Sequence, residues 1–198
     1  MLHVGLTGGI GSGKSTITQI FELLNIPVYN SDLAAKKIMN ENHEVRSKIV
    51  ELIGKESYSG SNINRSFISE KVFNNNTLLQ KLNQIVHPMV YKDYDHWAKV
   101  QNSDYVIKES ALLLDTLPYQ KVDQIVVVFS PLALRIKRVM TRDNLSFEET
   151  TLRISKQRPD KEFIEAADYI IVNDLQHSLI SQVQNIHLEL LNFAKIKS

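Results

Sequence analysis

The sequence contains no cysteine. That single absence removes disulfides, thiolate zinc sites and cysteine nucleophiles together, and it suits a reducing compartment. The chain also lacks net charge. Its 23 Lys and Arg stand against 22 Asp and Glu, which leaves +1. There is no global basic footprint to attract nucleic acid, so any anion site must be local. No apolar run reaches the length of a membrane span. The N-terminus carries no signal-peptide pattern, because Gly and Lys interrupt it before an apolar region forms. The expectation is a cytoplasmic protein with neither a nucleic acid nor a membrane as partner, acting as a monomer or weak homo-oligomer.

What is present is ordinary in bulk: 198 residues, 43% hydrophobic and 23% charged. That is enough for one domain with a sizeable core and a small insertion. The pattern along the chain is more telling. Leu2, Val4 and Leu6 alternate as in a short buried strand and then meet glycines. Ile17, Ile20, Phe21 and Leu24 follow at helical spacing. Residues 26–29, 104–110, 124–129 and 169–174 read as four further strands. The continuous apolar run of 124–129 suits a strand buried on both faces of a parallel sheet.

Between the second and third strands the period is helical. Gly54 is expected to stop one helix, residues 57–64 to form a loop, and Pro88 to kink or restart a long helix. Ser130 is expected to cap the next helix with Pro131 at its first position, and "SFEE" (146–149) to open another with a capping box. Strands alternating with helices indicate an α/β fold with a mostly parallel, five-stranded sheet. The stretch between strands two and three is too long for a simple crossover and reads as an inserted helical subdomain.

Gly8-Gly9-Ile10-Gly11-Ser12-Gly13-Lys14-Ser15 matches G-x-x-x-x-G-K-[ST] at every fixed position. Glycines leave the backbone amides bare, so that they can face one anion at the positive end of the following helix. Lys14 is then placed to reach the β- and γ-phosphates, and the Ser15 hydroxyl to ligate Mg²⁺. The nucleotide-binding residues expected here are Gly9, Gly11, Ser12, Gly13, Lys14, Ser15 and Thr16. The motif indicates a bound nucleoside triphosphate and leaves open what is done with it.

A GTPase-like switch would need Asn-Lys-x-Asp and Asp-x-x-Gly, and neither tetrapeptide occurs. A small-molecule kinase needs an acceptor site and an arginine-rich lid. Arg135, Arg138 and Arg142 step by three and four along one helix face, and Arg153 and Arg158 follow. From 135 to 162 there are eight Lys or Arg against five Asp or Glu. Cationic groups closing on a γ-phosphate supply much of the rate in phosphoryl transfer; a solvated helix face would look the same. On the acceptor side, Asp32 follows the second strand at its carboxyl end, where α/β sheets place ligands. It can accept a proton from a substrate hydroxyl or align it, or else Asp32 or Ser31 merely caps the next helix.

"LTGGIGSGKST", "VYNSD", "INRSFISEKVFNNNTLLQKLNQIVHPMV" and "RIKRVMTRD" occur in this order and together resemble the dephospho-CoA kinase family, over the chain as far as about residue 175. The resemblance implies ATP-dependent phosphorylation of the ribose 3′-hydroxyl of dephospho-CoA. It implies a P-loop kinase core (1–31, 101–135 and 166–198), a helical acceptor subdomain (32–100) and a helical lid (136–165). The family motif after strand two is Asp-Ala-Asp; its second Asp matches Asp32, the acceptor-side catalytic residue. Asn30 and Ser31 replace the other two, which puts the role of the first carboxylate in doubt.

Lys14 and Arg138 are the other expected catalytic residues, with Arg142 and Asn173 as further nucleotide contacts. Asn173 either lies near the adenine or is a turn residue before the last helix. Arg65 and His87 match acceptor-domain positions of the family; Arg65 either contacts a substrate phosphate or is simply exposed, and His87 otherwise reads as a packing or capping residue before a helix that Pro88 starts. Glu109 ends strand three, where an acid could hold a metal-bound water, and Asp115 falls at the end of a second, weaker motif. The alternative activity is that of a nucleoside monophosphate kinase of related fold; outside enzymes, it is a regulatory ATP-binding module with a dead acceptor site.

Overall fold

The computed structural model describes residues 1–73, 75–117, 120 and 122–197. The alternating apolar residues at the start form β1 (Leu2–Thr7), and the helical period after the glycines forms α1 (Lys14–Leu23). The chain continues through β2 (Val28–Asn30), α2 (Ser31–Glu41) and α3 (His43–Ile53). A small hairpin, β3 (Tyr58–Ser59) and β4 (Asn62–Ile63), leads to α4 (Arg65–Phe73) and α5 (Asn76–Lys99). Next come β5 (Tyr105–Glu109), α6 (Leu113–Thr116), β6 (Gln124–Phe129) and α7 (Leu132–Asp143). The chain then forms α8 (Phe147–Ser155), α9 (Asp160–Glu165), β7 (Tyr169–Val172) and α10 (Leu179–Lys197).

By its contacts the chain divides into two compact units: Met1–Tyr29 with Gln101 onward, and Asn30–Val100. The first is built on a five-stranded sheet of order β2-β5-β1-β6-β7. β1 runs parallel to both neighbours, with Val4 opposite Ile107 on one side and Leu6 opposite Val126 on the other. β6 and β7 are also parallel. Leu2, Val4 and Leu6 share one face of β1 and are all buried, and Gly5 and Thr7 on the other face are buried too, as in a central parallel strand covered on both sides. Ile17 and Phe21 of α1 join that core, as do Val183 and Leu190 of α10. The glycine loop and Ser130 thus emerge at the carboxyl ends of adjacent strands, the place where α/β sheets hold ligands.

In the second unit α2, α3 and α5 pack on one another. The buried seam of α5 is Leu82, Val86, Val90, Tyr94 and Ala98, a strict four-residue step; Leu79 lies outside it, exposed. Two expectations change here. Pro88 does not restart the helix, which is one element from Asn76 to Lys99. Pro88 and Gln84 are both exposed, so the carbonyl that lacks a Pro88 donor falls on the solvent side. The stretch read as a loop contains the β3–β4 hairpin, turned at Gly60 with φ 61°.

A third change concerns α7. Ser130 does not cap it; Pro131 occupies the cap position and the helix starts at Leu132. The Ser130 hydroxyl is buried and donates instead to the Asn173 carbonyl at 2.7 Å. A tertiary partner has outbid the local one. The capping box at Ser146 and Glu149 is present in both directions. No helix among the described residues is long and apolar enough to cross a membrane.

Tyr105 on β5 and His187 on α10 share a hydrogen bond of 2.7 Å. Burial raises the Tyr105 pKa and lowers that of His187. Burial thus favours the neutral form of both groups. A base whose pKa is depressed by folding costs stability as pH falls below its unfolded value, about 6.5. Urea denaturation should show stability declining as pH is lowered from about 6.5, and His187→Gln should flatten that decline.

Candidate active site

Five side chains fix the loop between β1 and α1. Lys14 Nζ donates to the Gly8 carbonyl at 2.9 Å. Arg138 Nη1 donates to the Gly11 carbonyl at 3.2 Å. Asn173 Nδ2 donates to the Ser12 carbonyl at 2.8 Å. Gln157 Oε1 accepts the Ile10 N–H at 2.7 Å. The fifth, Arg135, is packed over Gly9, where an added Cβ would lie 2.7 Å from a guanidinium nitrogen. Gly9 is thus needed for close approach. Gly13 is needed twice over: its φ is 99°, and a Cβ would stand 2.2 Å from Asn173 Nδ2.

The loop's carbonyls are therefore drawn toward protein donors. Of its N–H groups, that of Ile10 goes to Gln157 and that of Ser12 to the Gly9 carbonyl at 3.1 Å, and others are left for something else. Those of Gly11, Gly13 and Ser15 make no hydrogen bond with the described residues, at the N-terminus of α1, where the helix dipole is positive. Thr16 N–H turns back to the Gly13 carbonyl at 3.0 Å. Ser12 is buried and its hydroxyl has no partner among the described residues. Ser15 is exposed, and its hydroxyl makes no hydrogen bond with the described residues. Among those residues no group of three or more His, Cys, Asp or Glu forms a metal cage. A hydroxyl beside a phosphate nest fits a hard, hydrated cation that takes its remaining ligands from phosphate and water.

The arginines that share a sequence pattern separate sharply in space. Arg135 is only 4% exposed and pairs with Asp160. Arg142 is bidentate on Asp143, through Nε at 2.7 Å and Nη2 at 2.9 Å. That hydrogen bond is the main reason the Asp143 carboxyl lies below its usual range. Arg153 also approaches Asp143, at 3.5 Å. Arg158 bonds Asp115 at 2.7 Å and Glu162 at 2.5 Å, and these bonds raise its pKa. Arg138 alone of the five has no carboxylate partner among the described residues. Its contacts are all neutral: the Gly11 carbonyl, Ser130 Oγ at 3.0 Å and Asn173 Oδ1 at 3.1 Å. A half-buried, uncompensated cation beside an amide nest is suited to an anion.

Asn173 is placed at the end of β7, buried, with both ends of its amide engaged on Ser12 and Arg138. It acts on the loop from below and is not a turn residue. Glu109 is buried at the carboxyl end of β5.

In the second unit, Asn30 is the N-cap of α2, its side chain accepting the Leu33 N–H at 2.9 Å. Neither Asp32 nor Ser31 is the cap. Asp32 is the second residue of the helix, exposed, and its carboxylate makes no hydrogen bond or ion pair with the described residues. Arg65 opens α4 and is exposed. His87 lies in the middle of α5, half-buried, with its Nδ1 3.5 Å from the Tyr91 hydroxyl; no helix begins beside it.

Sequence reasoning did not find Gln157, nor the partners of Arg135 and Asn173. Gln157 meets Ile10 across 147 residues of chain, and a lone glutamine in a basic run carries no signal of such a contact.

A nest of unbonded amides with a lysine and an acid-free arginine, in a G-x-x-x-x-G-K-[ST] loop at the carboxyl edge of a five-stranded parallel sheet, has the form of a P-loop kinase. Solved structures agree. TT1252 from Thermus thermophilus superposes with a TM-score of 0.84 at 26% identity, covering 95% of this chain and 96% of that one. Dephospho-CoA kinase from Campylobacter jejuni does so with 0.69 at 25% identity, covering 96% and 97%. A shikimate kinase from Bacteroides thetaiotaomicron, with TM-score 0.53 and 15% identity, shares the fold over 96% of this chain and 98% of that one.

Sequence comparison narrows the class. The family model for dephospho-CoA kinase matches residues 2–178. A dephospho-CoA kinase of Bacteroides fragilis is 36% identical over 193 residues, 97% of this chain and 92% of the relative. One of Porphyromonas gingivalis is 35% identical over 187 residues, 94% and 93%. The chain belongs to the dephospho-CoA kinase family.

Asn173→Ala removes the donor on a buried loop carbonyl. It should lower stability by about 1–3 kcal/mol and weaken ATP binding as the loop loses its aim. Thermal denaturation and nucleotide titration together check both.

Proposed function

We propose that this protein transfers the γ-phosphoryl group of ATP to the ribose 3′-hydroxyl of dephospho-CoA, giving coenzyme A and ADP. The observation that carries the reading is the loop itself: carbonyls tied back, amides presented, and Arg138 beside them without an acid. Membership of the dephospho-CoA kinase family supports the acceptor, and it does not favour a nucleoside monophosphate. The idea of a dead acceptor site rested on Asn30. As a cap, Asn serves as well as Asp, so that replacement has a structural use and does not argue against activity.

The triphosphate lies on residues 8 to 16, held by the unbonded loop amides of Gly11, Gly13 and Ser15. Lys14 moves from the Gly8 carbonyl to the β- and γ-phosphate oxygens. Mg²⁺ held by the Ser15 hydroxyl and waters neutralises charge on the same oxygens when bound. The acceptor oxygen attacks the γ-phosphorus in line, the bond to the β–γ bridging oxygen breaks, and ADP leaves. Asp32, uncommitted to capping, aligns the acceptor hydroxyl and takes up its proton. Arg138 stabilises the charge on the transferring group. Arg142 joins it only by leaving Asp143. Residues 32–100, with Arg65 and His87, form the acceptor side, and 136–165 the lid that excludes water.

Purified protein with ATP should phosphorylate dephospho-CoA far faster than AMP, CMP or dCMP; preference for a nucleoside monophosphate would overturn the assignment. Asp32→Ala should lower kcat by about 10²- to 10⁴-fold with ATP binding and melting temperature nearly unchanged. Asn30→Ala should do the converse in stability, costing about 1 kcal/mol by urea denaturation.

A further inference from the structure

Gln157 lies between α8 and α9, within the same unit as the glycine loop. Its carboxamide oxygen holds the Ile10 N–H at 2.7 Å. Its NH₂ group makes no hydrogen bond with the described residues. Its neighbours fix the segment firmly. Arg158 bonds Asp115 through Nε at 2.8 Å and Nη2 at 2.7 Å, and Asp160 pairs with the buried Arg135 that covers Gly9. A carboxamide is thus anchored at the tip of the loop with two N–H donors to spare.

The location selects among the phosphates. The amides of Gly11, Gly13 and Ser15 belong to the helix end of the loop, which cradles the inner phosphates. Ile10 belongs to the strand end, and Gln157 reaches it from outside the loop altogether. The phosphate that projects beyond the nest is the terminal one. A neutral amide suits that place, because one end of it holds a loop N–H while the other donates to an oxyanion. We propose that Gln157 is a γ-phosphate-binding residue: its oxygen sets the loop at Ile10, and its NH₂ donates to the terminal phosphate of ATP. The inference rests on the reading of the loop as an ATP site.

Gln157→Glu separates this role from a purely structural latch. The carboxylate keeps an acceptor for the Ile10 N–H, loses both donors, and adds charge against the triphosphate. Titration of wild-type protein with ATP and with ADP tests the loop as a nucleotide site on its own account. In Gln157→Glu, ATP affinity should fall about 10-fold or more and ADP affinity by less than about 3-fold, with the melting temperature of the nucleotide-free protein unchanged. Gln157→Ala should lower kcat more than it raises KM for dephospho-CoA. If Gln157→Glu weakens ATP and ADP by the same factor, or leaves the wild-type preference intact, Gln157 only shapes the loop and the inference is wrong.

Discussion

A glycine loop cannot hold its own shape. Glycine has the largest backbone freedom to lose on folding, and a nest of amides works only if every amide keeps its aim. In this protein the aim is imposed from outside. Carbonyls of Gly8, Gly11 and Ser12 are taken by Lys14, Arg138 and Asn173, and Arg135 closes over Gly9. Of the N–H groups on those same peptide units, that of Ser12 returns to the Gly9 carbonyl at 3.1 Å, while that of Gly13 makes no hydrogen bond with the described residues. The rest of the site depends on this hold. The ends of β6 and β7 are tied together through Ser130 and Asn173, so the sheet and the loop share one scaffold.

Charge is sorted by the same scaffold. Arg135, Arg142, Arg153 and Arg158 all have carboxylate partners, and exposed pairs of that kind add little stability. Their use is positional. Arg135 and Arg158 hold the segment that carries Gln157, Arg142 and Arg153 are taken up by Asp143, and Arg138 is left as the cation whose partners are dipoles. A local excess of positive charge in the sequence becomes, in three dimensions, one uncompensated guanidinium beside the amide nest. A chain of net charge near zero can bind a polyanion on that basis, because the field is made locally.

The fold was largely legible in the sequence because its signals are local. Period and punctuation placed all five strands of the main sheet, and the capping box at Ser146 is complete within four residues. The failures are of the opposite kind. Ser130 looks like a cap and is used by Asn173, 43 residues away. Leu79, three residues before Leu82 on the same helix, is exposed, and the buried seam of α5 runs on from Leu82 to Ala98. In the site, the loop residues follow from the motif alone. The side chains that hold the loop do not, since nothing in the spacing of Asn173 or Gln157 says what it will face. Asp32 is intermediate: the sequence left it between cap and chemistry, and the hydrogen bond of Asn30 removes the cap.

Lys14 Nζ donates to the Gly8 carbonyl. Any anion that recruits it must therefore compete with a hydrogen bond already made. A singly charged anion offers little advantage over that carbonyl. A triphosphate, with several oxygens and several charges, offers much more. The bond to Gly8 thus ranks anions by charge, and the lysine is drawn most strongly to the one that brings the most.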